Sequence, residues 1–395
     1  RGQDSCGIAY VDLLDTNIIK YQKANGLVKD FKDKCSIEYS KGFIGHTRYT
    51  TSGQRKSETS DKMIHPIVGS FNGDTYVFVF NGNIPNIDKR FNGDTEFITD
   101  FIKNYETSSK SFSEVLKEFI NRIDRAYNII FMYLGKIFII RDSFGTRPLK
   151  IVKMVSGDIF VCSEDYFLSG DNVFNKDIDP GSLTEIDINT EQISSIKVRK
   201  SNLQRCVFEY IYFMNEKTMA DDFLVKDTRV KMGYMLANDE NLKELTDKHK
   251  YKNKPFIVSS IPNTSTTAAI VYANTLDIQY DQFIEKNKDV NRTFIITDNN
   301  ERQNYSREKY LIDSNKITGN NIILVDDSIV RGTTIKNLVS LLKQHKPNSI
   351  HIRVAAPPII STCNLGIDIP TKDELIYNHH SDPEKLREYL DVDTV

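Results

Sequence analysis

The stretch NIILVDDSIVRGTT, residues 321 to 334, decides how the second half of this chain folds. Ile322 to Val325 form an unbroken apolar run, the pattern of a strand buried on both faces of a parallel sheet. Two adjacent aspartates end that run, and small, hydroxyl-bearing residues and a glycine follow. Beyond them Ile335, Leu338, Val339, Leu341 and Leu342 fall on one helical face. The order is therefore strand, acidic pair, loop, helix amino terminus. Free N–H groups and the helix dipole at such a terminus favour a phosphate. Gly332 lets the backbone come close, and Thr333 and Thr334 add hydroxyl donors. Carboxylates do not bind phosphate, but Asp326 and Asp327 can accept hydrogen bonds from a vicinal diol and attract a hard cation such as Mg²⁺. A phosphate with a diol beside it describes a ribose 5-phosphate. A bare Asp-Asp pair would read as a turn cap; the whole string reads as a ligand site. No G-x-x-x-x-G-K-[ST] string occurs, which disfavours a nucleotide kinase or ATPase.

The alternation continues around this stretch. KPFIVSSIPNTSTTAAIVYANTL (254 to 276) reads as a short strand, a polar loop and a helix, and SIHIRVAAPPI (349 to 359) as another strand. These are parallel β/α/β units with ligands expected at the carboxyl ends of the strands. The first half differs. DTYVFVFNGN (74 to 83) is a β-rich run ending in a turn. AYNIIFMYLGKIFIIRDSFGTRPL (126 to 149) reads as two strands joined near Leu134-Gly135, then a Gly-bearing loop. FSEVLKEFINRI (112 to 123) carries helical periodicity. Strands with few crossover helices predict antiparallel sheets. The boundary is expected near residue 205, giving regions 1–205 and 206–395.

The chain has 395 residues, 27% charged, with a formal net charge of -2. No global pull toward nucleic acid or a membrane is visible, and the apolar runs are far too short for a membrane helix. Cys6, Cys35, Cys162, Cys206 and Cys363 are far apart and odd in number, which suits a reducing compartment. A cytoplasmic protein is expected.

RGQDSCGIAY, GHTRYTTSG, NGNIPN, RDSFGTRPL, CVFEYIYF, VDDSIVRGTT and GIDIPTKDELI, in this order, resemble the glutamine phosphoribosylpyrophosphate (PRPP) amidotransferases. The resemblance runs the length of the chain. It implies an α+β N-terminal-nucleophile (Ntn) glutaminase domain, with stacked antiparallel sheets flanked by helices, followed by an α/β type I phosphoribosyltransferase domain. It also implies formation of 5-phosphoribosylamine, the first committed step of purine synthesis, from PRPP and glutamine, with ammonia passing internally. Purine nucleotides are expected as feedback inhibitors, and a homo-oligomer as the assembly.

Roles carry over position by position. Arg48 matches the residue that holds the substrate carboxylate, for which a planar fork is suited. Asp94 matches the carboxylate that binds the substrate amine. Asn81 and Gly82 match the oxyanion hole. Lys286, Arg292, Asp326, Asp327, Ser328, Arg331, Gly332, Thr333 and Thr334 are expected to bind PRPP, and Thr264 with Asp326 and Asp327 to bind Mg²⁺. Departures fall in three stretches. Asn263 stands where the family has an acid; Lys288, Asp289 and Asn291 replace an arginine, an aromatic residue and a glycine; and residues 212 to 223 depart from the usual Ala-Arg-Pro-Asp-Ser. Cys206 and Cys363 match two ligand positions of a 4Fe-4S cluster found in one branch of the family, with the other two expected beyond Val395. The family's nucleophile is an N-terminal cysteine whose own amine is the base. Its position falls ahead of Arg1, so the chain is expected to be cut at both ends. Cys6 is internal and reads as a small core residue.

Two other readings share part of this motif set. One is a catalytically impaired, PRPP-binding regulatory homologue that keeps the acidic loop as a sensor. The other is a different Ntn-type glutamine amidotransferase, which would share NGN but not VDDSIVRGTT. The glutaminase motifs and the lack of a basic, DNA-binding segment weigh against the first.

Overall fold

The computed structural model of the chain describes residues 2, 4–33, 35, 39–48, 63–240, 251, 254–287, 310–367, 369 and 371–395. The chain divides into two units: Arg1–Glu209 with Cys363–Asp368, and Tyr210–Thr362 with Ile369–Val395. The sequence places 363 to 368 in the second region. They group with the first unit because Asn83 and Arg147 hold the carbonyls of Asn364 and Leu365.

The first unit is antiparallel. Its largest sheet runs, in spatial order, Ile193–Lys197, Ser182–Asp187, Lys136–Arg141, Tyr127–Tyr133, Asp74–Gly82, Ile67–Phe71. The expected hairpin forms, with Leu134 and Gly135 both at positive φ (44° and 68°), the turn whose twist matches its strands. Alternation sorts the two faces of strand Asp74–Gly82. Phe78 and Phe80 join an aromatic core beneath helices Asp94–Lys103 and Phe112–Arg122. Val77 and Val79 face the other way, packing with Ala9, Val11 and Ile44. Those three belong to a second sheet, in which Ser5–Val11 pairs on either side with Ile19–Asn25 and Phe43–Arg48. The helix expected over 112 to 123 starts at a capping box in which Ser111 and Glu114 satisfy each other's backbone N–H groups.

The second unit is a parallel sheet in the order Gln279–Tyr280, Phe256–Ser260, Asn321–Asp326, Ser349–Val354. Strand Asn321–Asp326 is buried on both faces: Ile322 and Leu324 pack with Ile335, Leu338, Val339 and Leu342 of helix Thr333–Lys343, and Ile323 and Val325 pack with Val258, Ala269 and Tyr272. Leu341 is half-buried, at the edge of that helical face. The last strand stops at Val354, short of the expected 359. Ala355 and Ala356 there turn their N–H groups onto the carbonyls of Asp326 and Asp327, both at 2.9 Å, and two prolines follow. The register Ser260↔Val325 and Asp326↔Val354 lines up the carboxyl ends of three strands on one edge. No helix among the described residues is long and apolar enough to cross a membrane.

Candidate active sites

At the carboxyl edge of the parallel sheet, Asp326 ends its strand and accepts the N–H of Asp327 on Oδ1 at 3.0 Å. Asp327 is only 5% exposed. Its Oδ2 accepts the hydroxyl of Thr264, from the neighbouring strand's loop, and its Oδ1 accepts the Ser328 hydroxyl at 2.9 Å. Burial pushes this carboxyl up, and the two hydroxyls and the charges of Arg229 and Lys286 oppose that push. Tyr310 faces the same pair: burial first, then the negative Asp326, drives its phenol up to about 12. Gly332 sits at φ 76° before the helix, where a Cβ would collide with Ile376 Cδ1, so this loop conformation favours glycine. Thr333 and Thr334 stay exposed at the helix start. Arg331 is engaged by Glu374, Nε to Oε2 at 2.6 Å. Lys286 is exposed on strand Ile284–Lys286, and Arg292 lies outside the described residues.

In the first unit, Asn81 and Gly82 close strand Asp74–Gly82, opposite Asn128 and Tyr127. Two residues on, the Ile84 N–H donates to Asp94 Oδ2 at 3.3 Å, which ties Asp94 to the Asn-Gly-Asn turn. Burial raises the Asp94 carboxyl to about 6, against the pull of that hydrogen bond. Arg48 ends strand Phe43–Arg48, and its Nη2 lies 3.8 Å from Met63 Sδ. Met63 in turn reaches Gly93, since a Cβ there would lie 2.9 Å from Met63 Cε. Arg48, Asp94, Asn81 and Gly82 are thus connected through Met63 and Ile84. Cys6 lies mid-strand and buried, and burial raises its thiol, the state of an unreactive cysteine.

Two features escaped the sequence. Arg229, buried in helix Val225–Asn238, donates to the carbonyls of Tyr210 and Met214 and sets its charge near Asp327. Its sequence surroundings carry no signal, because only the packed helix brings it to the acids. The second is an imidazole pair: His46 and His65 have ring centroids 4.3 Å apart, and His46 is bonded to the Phe80 backbone beside Asn81. His46 Nδ1 and both nitrogens of His65 are buried without a hydrogen-bond partner. Burial, reinforced by Arg48, lowers His46 to about 4, and burial with His46, Arg48 and Lys23 holds His65 well below 6.5. Folding therefore favours the neutral rings. Their stabilisation is complete above the unfolded value near 6.5 and is lost as pH falls toward 4. Melting of the wild-type protein should lose about 1.4 kcal/mol per pH unit for each ring below pH ~6. The slope in His65→Gln should be smaller by about 1.4 kcal/mol per pH unit, the buried Asp94 carboxyl contributing with the opposite sign in both proteins; an unchanged slope contradicts the assignment.

A magnesium ion suits the donor set Asp326, Asp327 and Thr264, which offers hard oxygens but few of them. Mg²⁺ ordinarily completes its shell with water and substrate phosphate oxygens. Among the described residues no three His, Cys, Asp or Glu side chains are grouped to hold a metal alone. Cys206 and Cys363 are free thiols, and burial raises that of Cys206. Two thiols do not make a cluster site, which takes four ligands.

Residues 232–362 match the phosphoribosyl transferase domain family. The amidophosphoribosyltransferase of Homo sapiens is 31% identical, over 100% of this chain and 80% of that protein. That of Pyrococcus horikoshii is 32% identical, over 95% and 81%. The solved structure of glutamine PRPP amidotransferase from B. subtilis, complexed with ADP and GMP, superposes with a TM-score of 0.83 at 27% identity, over 100% of this chain and 84% of that one. With these relatives, the chain belongs to the amidophosphoribosyltransferase family and joins an Ntn glutaminase fold to a phosphoribosyltransferase fold.

Proposed function

We propose that the acidic loop of the second unit holds PRPP, and that Arg48, Asp94, Asn81 and Gly82 of the first unit hold glutamine. One observation carries this reading: Asp327, buried, is fixed by hydroxyls from two different loops at the carboxyl edge of a parallel sheet, directly before a left-handed glycine and a helix amino terminus. Asp326 and Asp327 would accept the ribose hydroxyls. The N–H groups from Gly332 onward, with the Thr333 and Thr334 hydroxyls, would hold the 5-phosphate. Asp326, Asp327 and Thr264 are the residues that would hold magnesium, which supplies charge to balance the leaving pyrophosphate. Lys286 adds positive charge on the same side.

In the glutaminase half, Arg48 would pair with the substrate carboxylate and Asp94 with its amine. The Asn81 amide and the Gly82 N–H would meet the oxyanion. Ammonia released there replaces pyrophosphate at C1 of PRPP. The phosphate-binding loop is also the element suited to a purine nucleotide's phosphate, which supports nucleotides as inhibitors.

Asp94 makes this reading testable by pH. A carboxyl at about 6 binds the substrate amine only when ionised. In the full-length enzyme the glutamine KM should be flat above pH ~7 and rise about tenfold per unit below ~6, while the ammonium-driven rate shows no such break. A flat glutamine KM down to pH 5 contradicts the role of Asp94. The function itself is tested by pyrophosphate release from PRPP with magnesium and ammonium. Release dependent on ammonium is expected, and none from folded protein would overturn it.

A further inference from the structure

The motif RDSFGTRPL belongs to neither half-site, yet it is built with care. Arg141 is fully buried and spends its guanidinium on the loop's own carbonyls: Nε to Arg147 O at 3.0 Å, Nη1 to Ile178 O at 2.9 Å, Nη2 to Gly145 O at 3.1 Å. Asp142 closes the loop from the other side, accepting the N–H groups of Phe144 at 2.8 Å and Thr146 at 3.3 Å. The product of this scaffolding is a fixed, buried Arg147. That side chain donates Nη2 to Leu365 O at 3.0 Å and Nη1 to the buried Glu209 at 3.3 Å. Asn83, the residue after the oxyanion pair Asn81-Gly82, donates to Asn364 O at 2.7 Å. Gly366 completes the seat at φ 101°, where a Cβ would collide with Arg147 Nη2.

The seated segment is unusual in its connections. Residues Cys363–Asp368 group with the first unit, while the chain on both sides belongs to the second. Upstream, Ala355 and Ala356 donate to the carbonyls of Asp326 and Asp327. Downstream, the Ile376 N–H donates to Val330 O at 2.9 Å, and its side chain lies against Gly332. The middle of this strap of chain is held by Asn83, just past the strand that carries Asn81 and Gly82, and by Arg147. Arg147 Nε is buried without a hydrogen-bond partner.

We propose that Arg147 and Asn83 are positioning residues: they seat residues 364 and 365, and that seating fixes the turn directly after the oxyanion pair Asn81-Gly82 for glutamine. This rests on the functional reading above. Neither residue touches the acidic loop, so ammonium-driven synthesis should not need them.

The test uses the full-length enzyme at saturating PRPP and compares synthesis driven by glutamine with synthesis driven by ammonium. In Arg147→Met the glutamine-driven kcat should fall at least tenfold while the ammonium-driven rate stays within about twofold. Arg147→Lys, which keeps a single donor, should recover part of the ratio. Asn83→Ala removes one hydrogen bond at a half-exposed site, so it serves if Arg147→Met does not fold. It should lower the ratio about threefold or more. A merely structural role would lower both rates together. An unchanged ratio in folded Arg147→Met, or in Asn83→Ala where Arg147→Met does not fold, overturns the inference alone. Wild-type enzyme inactive with ammonium overturns the functional reading and the inference with it.

Discussion

Replacing Asp326 and Asp327 together by asparagine is expected to lower kcat/KM for PRPP, measured with ammonium, by about a thousandfold, which is ~4 kcal/mol of transition-state stabilisation. The amides keep the shape; at position 327 the amide oxygen can accept one of the Thr264 and Ser328 hydroxyls and the NH2 can donate to the other. They lose the charge that attracts magnesium and strengthens the hydrogen bonds from the ribose hydroxyls. The fold should survive. Burial already disfavours the charged form of Asp327, so a neutral isostere relieves a cost there. Thermal melting within a few degrees of wild type, beside the loss of turnover, separates the two effects. A double variant retaining more than a tenth of the wild-type kcat/KM would contradict the site.

The second large effect falls on stability. Arg141→Met should destabilise the first unit by about 3–5 kcal/mol, a large share of the marginal stability of a typical domain. The methionine fills much of the volume but leaves the carbonyls of Gly145, Arg147 and Ile178 buried without this donor. It should also lower glutamine-driven synthesis, because the loop that presents Arg147 loses its internal brace. Urea unfolding read by a signal from the first unit measures the loss. A change below about 1 kcal/mol would show that the loop holds without its arginine.

Much of the architecture could be read in the chain because local pattern and burial agree. Ile322 to Val325 alternate between two cores, one on each sheet face, as an unbroken apolar run requires. Leu134-Gly135 adopt the left-handed turn that a two-residue hairpin needs. Asp326, Asp327, Ser328, Gly332 and Thr333 could be read together because one loop carries them in succession. Thr264 joined them only through the family resemblance, and the register of two parallel strands accounts for its place. Arg229, the His46–His65 pair and the strap could not be read. Each depends on segments distant in sequence, as Asn83 and Asn364 are, and no local periodicity records such a meeting. Leu341 marks a smaller difference, since it sits at the rim of its helical face.

The central claim is that the acidic loop is a ribose-phosphate site, and titration calorimetry of the folded protein with PRPP and magnesium tests it most directly. Saturable heat with one PRPP per chain is expected, and it should disappear in Asp326→Asn/Asp327→Asn. No heat from well-folded wild-type protein, or equal heat from the double variant, would contradict it.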